Sequence, residues 1–172
     1  MTSAVYPGSF DPITNGHVDI ARRAAGIFEL VTVAVYDAPP KNLMFTTDDR
    51  VAMARQALAD VPNVRVVRFS GLTVEFAKSI GAKVLIRGLR AISDFETEFQ
   101  MALMNRNLAP NLEVVCFMTS LEHTFISSSI IKEVAKLGGP IEDLVPPVVA
   151  RALRERYAQE TEPSPVPRHL NS

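Results

Sequence analysis

The sequence predicts one α/β domain, residues 1–160, built on a five-stranded parallel sheet with helices on both faces. Five short apolar stretches rich in β-branched residues alternate with helical ones, an order that indicates parallel strands joined by crossover helices. The second of these stretches, residues 30–36, is almost wholly apolar, as in a strand covered on both faces. The chain has 172 residues, 47% of them hydrophobic, which is enough for a single substantial core.

The first half of the chain contains three predicted strands, each followed by a predicted helix. The strands are expected at residues 2–6, 30–36 and 64–69, and the helices at residues 16–28, about 47–58 and 72–80. Thr46 or Thr47 is expected to cap the second helix. Asp48 and Asp49 fall in its first turn, where carboxylates interact favourably with the positive end of the helix dipole. Gly81 is expected to close the third helix.

The second half of the chain continues the alternation. Strands are predicted at residues 83–87 and 112–118, and helices at residues 93–108, about 127–137 and 148–159. The helix at residues 93–108 carries more apolar side chains than one sheet face needs, so a subunit contact is expected there. Residues 161–172 include three prolines and little to bury, and they are predicted to form a flexible tail.

Composition narrows the classes of partner and compartment. The net charge is −1, which indicates neither nucleic acid nor an anionic membrane as a partner. The single cysteine, Cys116, excludes a disulfide within the chain, and its apolar neighbours predict a buried thiol of a strand. No basic and apolar leader and no run long enough to cross a bilayer is seen, so a cytoplasmic location is expected.

Several common catalytic motifs are missing from the sequence. Neither a G-x-G-x-x-G dinucleotide fingerprint nor a G-x-x-x-x-G-K-[ST] phosphate loop is present. No serine stands in a G-x-S-x-G elbow. The histidines His17, His123 and His169 are far apart in the sequence, so no protein metal site is predicted.

The most informative stretch is GSFDPITNGH, residues 8–17, between the first strand and the first helix. A helix N-terminus has unpaired N–H groups that suit an anion, and Gly16 allows a phosphate to approach the backbone. His17 falls in the first helical turn and is expected to face the same anion. These ten residues alone fit equally well a βα turn with a surface histidine.

Other polar residues follow the carboxyl ends of other predicted strands, where open α/β sheets bind their ligands. The second strand leads to Lys41, the fourth to Arg87 and Arg90, and the fifth to the serines at residues 127–129. Together with His17 they form a set that can neutralise a triphosphate and a second phosphate. Phosphoryl and nucleotidyl transfer depend mainly on such positioning and charge stabilisation. A phosphate nucleophile is already anionic at neutral pH, so no general base is needed.

The stretch GSFDPITNGH, taken with ISSSIIKEVA at residues 126–135, resembles the nucleotidyltransferase superfamily and its T/H-x-G-H motif, and in particular the bacterial phosphopantetheine adenylyltransferases. The resemblance covers roughly residues 1–160. It implies a Rossmann-like nucleotidyltransferase fold and transfer of the adenylyl group of ATP to 4′-phosphopantetheine without a covalent intermediate. It also implies Mg²⁺ bound through the ATP phosphates, and a homohexamer of two trimers.

The resemblance also assigns roles to residues of this chain. His17 and Lys41 would be catalytic, with His17 stabilising the transition state. The 4′-phosphopantetheine contacts would come from Ser9, Lys41, Thr73 and Arg87. The ATP contacts would come from Ser9, Phe10, His17, Gly88, Leu89, Arg90, Glu98, Glu122, His123, Thr124, Phe125, Ile126, Ser127, Ser128 and Ser129. Ser9 stands where many relatives have threonine, and Glu122, His123 and Thr124 depart from more aromatic versions of that loop.

Simpler interpretations remain for individual residues and for the whole protein. Lys41 and Arg90 fit solvated loop charges, the serines at residues 127–129 fit an N-cap, and Thr73 fits a cap of the third helix. Glu98 fits either a charge that interacts with a helix dipole or an ion pair with a neighbouring arginine. The alternative functions are another nucleotidyltransferase of the superfamily, acting on nicotinate mononucleotide or an alcohol phosphate, and a non-catalytic nucleotide-binding module.

Overall fold

A computed structural model describes residues 2–37, 42–90 and 92–161, with side chains omitted at residues 92, 93, 160 and 161. Its strands are β1 (Ser3–Gly8), β2 (Leu30–Tyr36), β3 (Val64–Phe69), β4 (Val84–Leu89) and β5 (Glu113–Met118). Its helices are α1 (Asn15–Ala25), α2 (Thr47–Ala57), α3 (Thr73–Ser79), α4 (Ile92–Leu108), α5 (Ser128–Lys136) and α6 (Pro147–Thr161), with a short 3₁₀ turn at Leu121–His123. Lys41 and the tail after Thr161 lie outside the described residues.

The sheet has five parallel strands in the order β3-β2-β1-β4-β5, which confirms the predicted fold class. From β1 to β3 each new strand is added on one side of β1, and β4 and β5 are then added on the other side. The strand order therefore reverses between β1 and β4, as in doubly wound sheets. β1 pairs with β2 over six residue pairs, from Ser3 to Gly8, but with β4 only at Ala4 and Val5. Beyond these two pairs, β1 and β4 separate and leave a gap at their carboxyl ends.

Helices cover both faces of the sheet, as predicted. On one face α1, α2, α5 and α6 pack on alternate strand residues such as Val33 and Ile86. On the other face α3 packs on the intervening residues, such as Ala34 and Leu85. No described helix is long and apolar enough to span a bilayer.

Most element boundaries agree with the prediction within two residues, and the differences have local causes. α1 ends at Ala25, with Gly26 as its C-cap, rather than at residue 28. β4 continues through Gly88 and Leu89 because both residues pair with β5. Thr46 is the N-cap of α2, and its hydroxyl accepts a hydrogen bond from the Asp49 N–H at 3.2 Å. Thr73 is the first residue of α3 and makes no cap, so the capping role considered for it is wrong.

The prediction of a buried Cys116 is wrong, because its thiol is exposed. β5 is one of the two edge strands of the sheet, and α4, the helix that precedes it, packs on the neighbouring strand β4 with few apolar groups. The residues of α4 that are half-buried are Asp94, Glu98, Ala102 and Asn105. The apolar side chains of α4 point outward, and between 42% and 55% of their surface is exposed: Phe95, Phe99, Met101, Leu103, Met104 and Leu108.

Candidate active site

The gap between β1 and β4 opens into a cleft of about 830 Å³ at the carboxyl edge of the sheet. Of the residues predicted to bind ligands, those that line the cleft are Ser9, Phe10, His17, Thr73, Arg87, Gly88, Arg90, Glu98, His123, Ile126, Ser127, Ser128 and Ser129. The structure thus brings together side chains from five separate segments. Leu89, Glu122, Thr124 and Phe125 are not among the lining residues, and Lys41 lies outside the described part of the chain.

His17 is held in one orientation by the start of α1. Thr14 is the N-cap, and its hydroxyl accepts a hydrogen bond from the His17 N–H at 3.4 Å. In return the Thr14 N–H donates to Nδ1 of the His17 ring at 3.1 Å, which completes a capping box. The edge of the Phe10 ring meets the ring of His17 at 5.1 Å between centroids. Because Nδ1 accepts a hydrogen bond, the neutral ring carries its proton on Nε2.

Arg87 and Glu98 are paired in the cleft. Nε and Nη2 of Arg87 each donate to one carboxylate oxygen of Glu98 at 2.6 Å. This bidentate hydrogen bonding to Glu98 raises the pKa of Arg87, whereas the burial of Arg87 acts to lower it. The ion pair considered for Glu98 is therefore confirmed. It joins a residue predicted to bind 4′-phosphopantetheine to one predicted to bind ATP.

Arg90 is oriented by Asp94, in the first turn of α4. The carboxylate of Asp94 accepts hydrogen bonds from the Arg90 N–H at 3.0 Å and from its Nε at 3.3 Å. Both residues line the cleft. Arg90 is partly exposed, so its guanidinium is accessible to an anion while its direction is set by the carboxylate.

The three serines at the start of α5 have different environments. Ser127 is the N-cap, and its hydroxyl accepts a hydrogen bond from the Ile130 N–H at 3.2 Å, so the capping role considered for it is confirmed. The hydroxyl of Ser128 donates to the Pro12 carbonyl at 2.8 Å. Ser129 is exposed at the cleft. Ser129 is therefore the serine whose hydroxyl best suits a ligand.

The loop before α5 folds back over α1. A Cβ added at Gly16 would lie 3.4 Å from the Cβ of His123, so the glycine lets this loop approach the helix N-terminus. His123 is half-buried and lines the cleft. Phe125 and Leu121 are 62% and 92% exposed, which leaves apolar side chains beside the polar cleft.

Asp11 ties the loop between β1 and α1 to two neighbouring segments. Its side chain is 2% exposed and accepts hydrogen bonds from the N–H groups of Met44 and Phe45 and from Nζ of Lys132 at 2.8 Å. Burial favours a higher pKa for this carboxyl, but the hydrogen bonds from Lys132, Met44 and Phe45 outweigh it and lower the pKa. The loop is thereby fixed to α5 and to the segment before α2.

Sequence reasoning missed several residues of the site and its support: Tyr6, Asp11, Thr14, Arg50, Asp94 and Lys132. Thr14 carried a usable signal, because a threonine three residues before His17 fits a capping box. Arg50 carried none, since an arginine inside a helical segment is ordinarily a solvated residue. Its burial depends on tertiary packing alone.

The described residues contain no group of three or more histidine, cysteine or carboxylate side chains arranged to hold a metal ion. Asp94 and Glu98 are carboxylates at the cleft, and each is engaged by an arginine. This donor set fits a divalent cation that enters on the phosphates of a ligand, since Mg²⁺ keeps waters and substrate phosphates in its shell.

A family model described as cytidylyltransferase-like matches residues 5–134 of the chain. The match begins in β1 and ends in α5, and so includes every strand and the loops around the cleft.

Curated relatives match nearly the whole chain. A protein from Roseiflexus sp. (strain RS-1) named phosphopantetheine adenylyltransferase is 52% identical over 159 residues, which cover 92% of this chain and 99% of the relative. A protein of the same name from Heliobacterium modesticaldum is 55% identical over 157 residues, 91% of this chain and 94% of the relative.

A solved structure has the same fold at low sequence identity. It is a protein from Vibrio parahaemolyticus provisionally named nicotinate-nucleotide adenylyltransferase, with a TM-score of 0.68 and 18% identity. The likeness covers 90% of this chain and 99% of that one, and it supports the architecture.

Proposed function

Since the chain belongs to the phosphopantetheine adenylyltransferases of the cytidylyltransferase-like family, we propose that its reaction takes place in the cleft between β1 and β4. The protein transfers the adenylyl group of ATP to 4′-phosphopantetheine and forms dephospho-coenzyme A and pyrophosphate, a step of coenzyme A biosynthesis. The main support for this location of the active site is the position of His17. Its ring is a preoriented hydrogen-bond donor at a helix N-terminus, and it faces a cleft lined by cationic and hydroxyl groups.

The proposed reaction is direct attack of the substrate phosphate on the α-phosphorus of ATP. A phosphate oxygen forms the new P–O bond while the bond to the pyrophosphate breaks, and pyrophosphate leaves with the electron pair. Negative charge grows on the oxygens around the phosphorus. The Nε2–H of His17 would donate to one of these oxygens and strengthen its hydrogen bond as the charge grows.

The triphosphate would lie against Arg90 and the N-terminus of α5. Asp94 orients Arg90, and the hydroxyl of Ser129 and the first N–H groups of α5 suit the leaving pyrophosphate. Of the other nucleotide contacts predicted from the resemblance, Gly88, His123 and Ile126 line the cleft, whereas Leu89, Glu122, Thr124 and Phe125 do not. Mg²⁺ bound on the phosphates would offset their charge, and Asp94 and Glu98 are carboxylates that line the same cleft.

The 4′-phosphopantetheine would bind on the side of Thr73 and Arg87, with Ser9 between the two substrates and Lys41 at the reacting phosphates. Thr73 and Arg87 line the cleft from α3 and β4. The bidentate hydrogen bonding with Glu98 fixes the plane of the Arg87 guanidinium. Arg87 can therefore direct N–H donors toward the substrate in a defined orientation.

The proposal includes a homohexamer of two trimers in the cytoplasm, where ATP is available. The outward apolar face of α4 supports the assembly. The half-buried residues of α4 are Asp94, Glu98, Ala102 and Asn105. A helix that packs only on its own sheet normally buries its apolar side instead. Other subunits would cover the exposed phenylalanines and methionines.

A coupled pyrophosphate-release assay tests the function. ATP with 4′-phosphopantetheine should release pyrophosphate, whereas ATP with nicotinate mononucleotide or an alcohol phosphate should release little. Release with another acceptor alone would assign the protein to a different transferase of the superfamily. If the protein binds nucleotide but releases no pyrophosphate with any of the acceptors, it is a nucleotide-binding module.

A further inference from the structure

Arg50 is an arginine of α2 that the structure buries completely. Its guanidinium donates to the carbonyls of Ser9 at 2.6 Å, Tyr36 at 2.9 Å and Phe45 at 3.3 Å. It also donates to the Thr47 hydroxyl at 2.9 Å and the Asp37 carbonyl at 3.4 Å. None of these acceptors is a carboxylate. A buried charge satisfied by so many backbone groups fixes the segments that supply them.

The shortest of these hydrogen bonds goes to the loop that begins the active site. Arg50 does not line the cleft, whereas Ser9 and Phe10 do, so the guanidinium lies behind the loop. In a trans peptide the C=O and the N–H point in opposite directions. With the Ser9 carbonyl directed to Arg50, the Phe10 N–H points away from the guanidinium. This N–H makes no hydrogen bond to a backbone carbonyl of the described residues.

The backbone at this peptide is unusual. Phe10 has φ of 46°, a left-handed conformation that is unfavourable for a bulky residue. Such a conformation persists only where the surroundings hold it. The phenyl ring is buried and contacts the rings of Tyr6 and His17. Arg50 holds the carbonyl side of the same peptide.

We propose that Arg50 is a positioning residue for the reaction, acting through the Ser9–Phe10 peptide, whose N–H it turns into the cleft as a donor to a phosphate oxygen of ATP. The inference rests on the proposed function and adds to it a residue that touches no substrate. Its charge also lies behind the site of a polyanion, where it favours phosphate electrostatically.

Lysine in place of Arg50 keeps the charge but cannot reach the same set of acceptors. The peptide should then lose its fixed direction. Misplacement of a donor by about 1 Å can cost up to a hundredfold in rate, so Arg50→Lys should lower kcat about tenfold to a hundredfold and leave the KM for 4′-phosphopantetheine little changed. Arg55→Lys is the matched control, since Arg55 is on the same helix and donates to the Val66 carbonyl, away from the cleft.

The peptide itself can be observed. Ser9–Phe10 is the single Ser-Phe step in the sequence, so protein labelled with ¹³C-carbonyl serine and ¹⁵N phenylalanine gives one carbonyl-to-amide correlation signal. Inorganic pyrophosphate or Mg-ATP should move the Phe10 amide proton downfield in the wild type and in Arg55→Lys. In Arg50→Lys the ligand-induced shift should be lost or at least halved.

A wild-type amide that does not respond to either ligand overturns the proposal, as does an Arg50→Lys variant with unchanged shift and turnover. If Arg50→Lys does not fold, Thr47→Val removes one acceptor and should give a smaller effect in the same direction, and no effect there overturns it. A wild type that releases no pyrophosphate would instead refute the proposed function.

Discussion

The Thr14 N–H donates to Nδ1 of His17 at 3.1 Å and the Thr14 hydroxyl lies 3.1 Å from the same nitrogen, so Thr14 determines which nitrogen of the ring can serve a substrate. The proton of the neutral ring is on Nε2, and Nδ1 is engaged by the helix start. His17 is thus a hydrogen-bond donor whose direction is set before any ligand binds, which is the property that electrostatic catalysis requires.

His17→Ala should lower kcat about a hundredfold to a thousandfold, because one preorganised donor to the transition state is lost, while the KM for ATP changes little. His17→Gln should recover more activity than His17→Asn, since the glutamine amide nitrogen reaches about as far as Nε2. Steady-state kinetics with thermal melts checks this. A loss of ATP affinity with normal turnover would make His17 a ground-state ligand instead.

Ser129→Ala should weaken ATP binding more than 4′-phosphopantetheine binding, by about 1.5–3 kcal/mol for a lost hydrogen bond to a charged group. Ser128→Ala removes the bond to the Pro12 carbonyl and should lower thermal stability and affect both substrates. Binding calorimetry with each substrate separates the two. Ser79→Ala, at the exposed end of α3, is the control. Equal effects of Ser129→Ala on both substrates would contradict the assignment to the triphosphate.

Glu98→Gln should raise the KM for 4′-phosphopantetheine, because Arg87 loses the charged partner that orients it. Adding Arg87→Lys to it should then cost less than the sum of the single changes, as expected for residues that act together. A double-mutant cycle in kcat/KM measures this coupling. If Glu98→Gln raises the KM for ATP alone, Glu98 contacts the nucleotide directly, as the resemblance implies.

Asp11 should make stability depend on pH. Its folded pKa lies below its ordinary value, so its stabilising effect is complete above the unfolded pKa of about 3.9 and is lost as pH falls through the folded pKa. Asp11→Asn should cost about 3 kcal/mol at pH 7, as when one partner of a buried pair is removed. The difference from wild type should shrink below about pH 4. Chemical denaturation across pH tests this, with Asp143→Asn, at an exposed aspartate, as control; a pH-independent difference would contradict it.

The outward face of α4 should hold an oligomer together. Light scattering at micromolar concentration should give about six times the 18.9 kDa chain mass. Phe99→Glu, in the middle of the apolar face, should give smaller species. Ile27→Glu, at an exposed apolar residue after α1, should leave the mass unchanged. A wild-type monomer would refute the hexamer.

The order of elements and the edge of the sheet at which the cleft opens followed from the sequence, because periodicity and punctuation by glycine and proline are local signals. His17 and the serines at residues 127–129 were predicted to lie together because they occupy helix starts, and they line the same cleft. The exposure of Cys116 was not predictable in this way, since an apolar run does not distinguish an edge strand from a central one. Arg50 and Asp11 became visible only in the fold, because their partners are backbone groups distant in sequence.

Because the ladder between β1 and β4 has only two residue pairs, the two halves of the sheet are joined less firmly to each other than the strands within each half are. Each half of the sheet is joined internally by six pairs per ladder, while the seam between the halves is held mainly at its amino end. Extending that ladder beyond Val5 and Leu85 would close the gap in which the substrates are proposed to meet. Cohesion of the sheet and access to the proposed reaction centre therefore oppose each other at Tyr6 and Ile86, and changes that tighten the seam are expected to reduce activity.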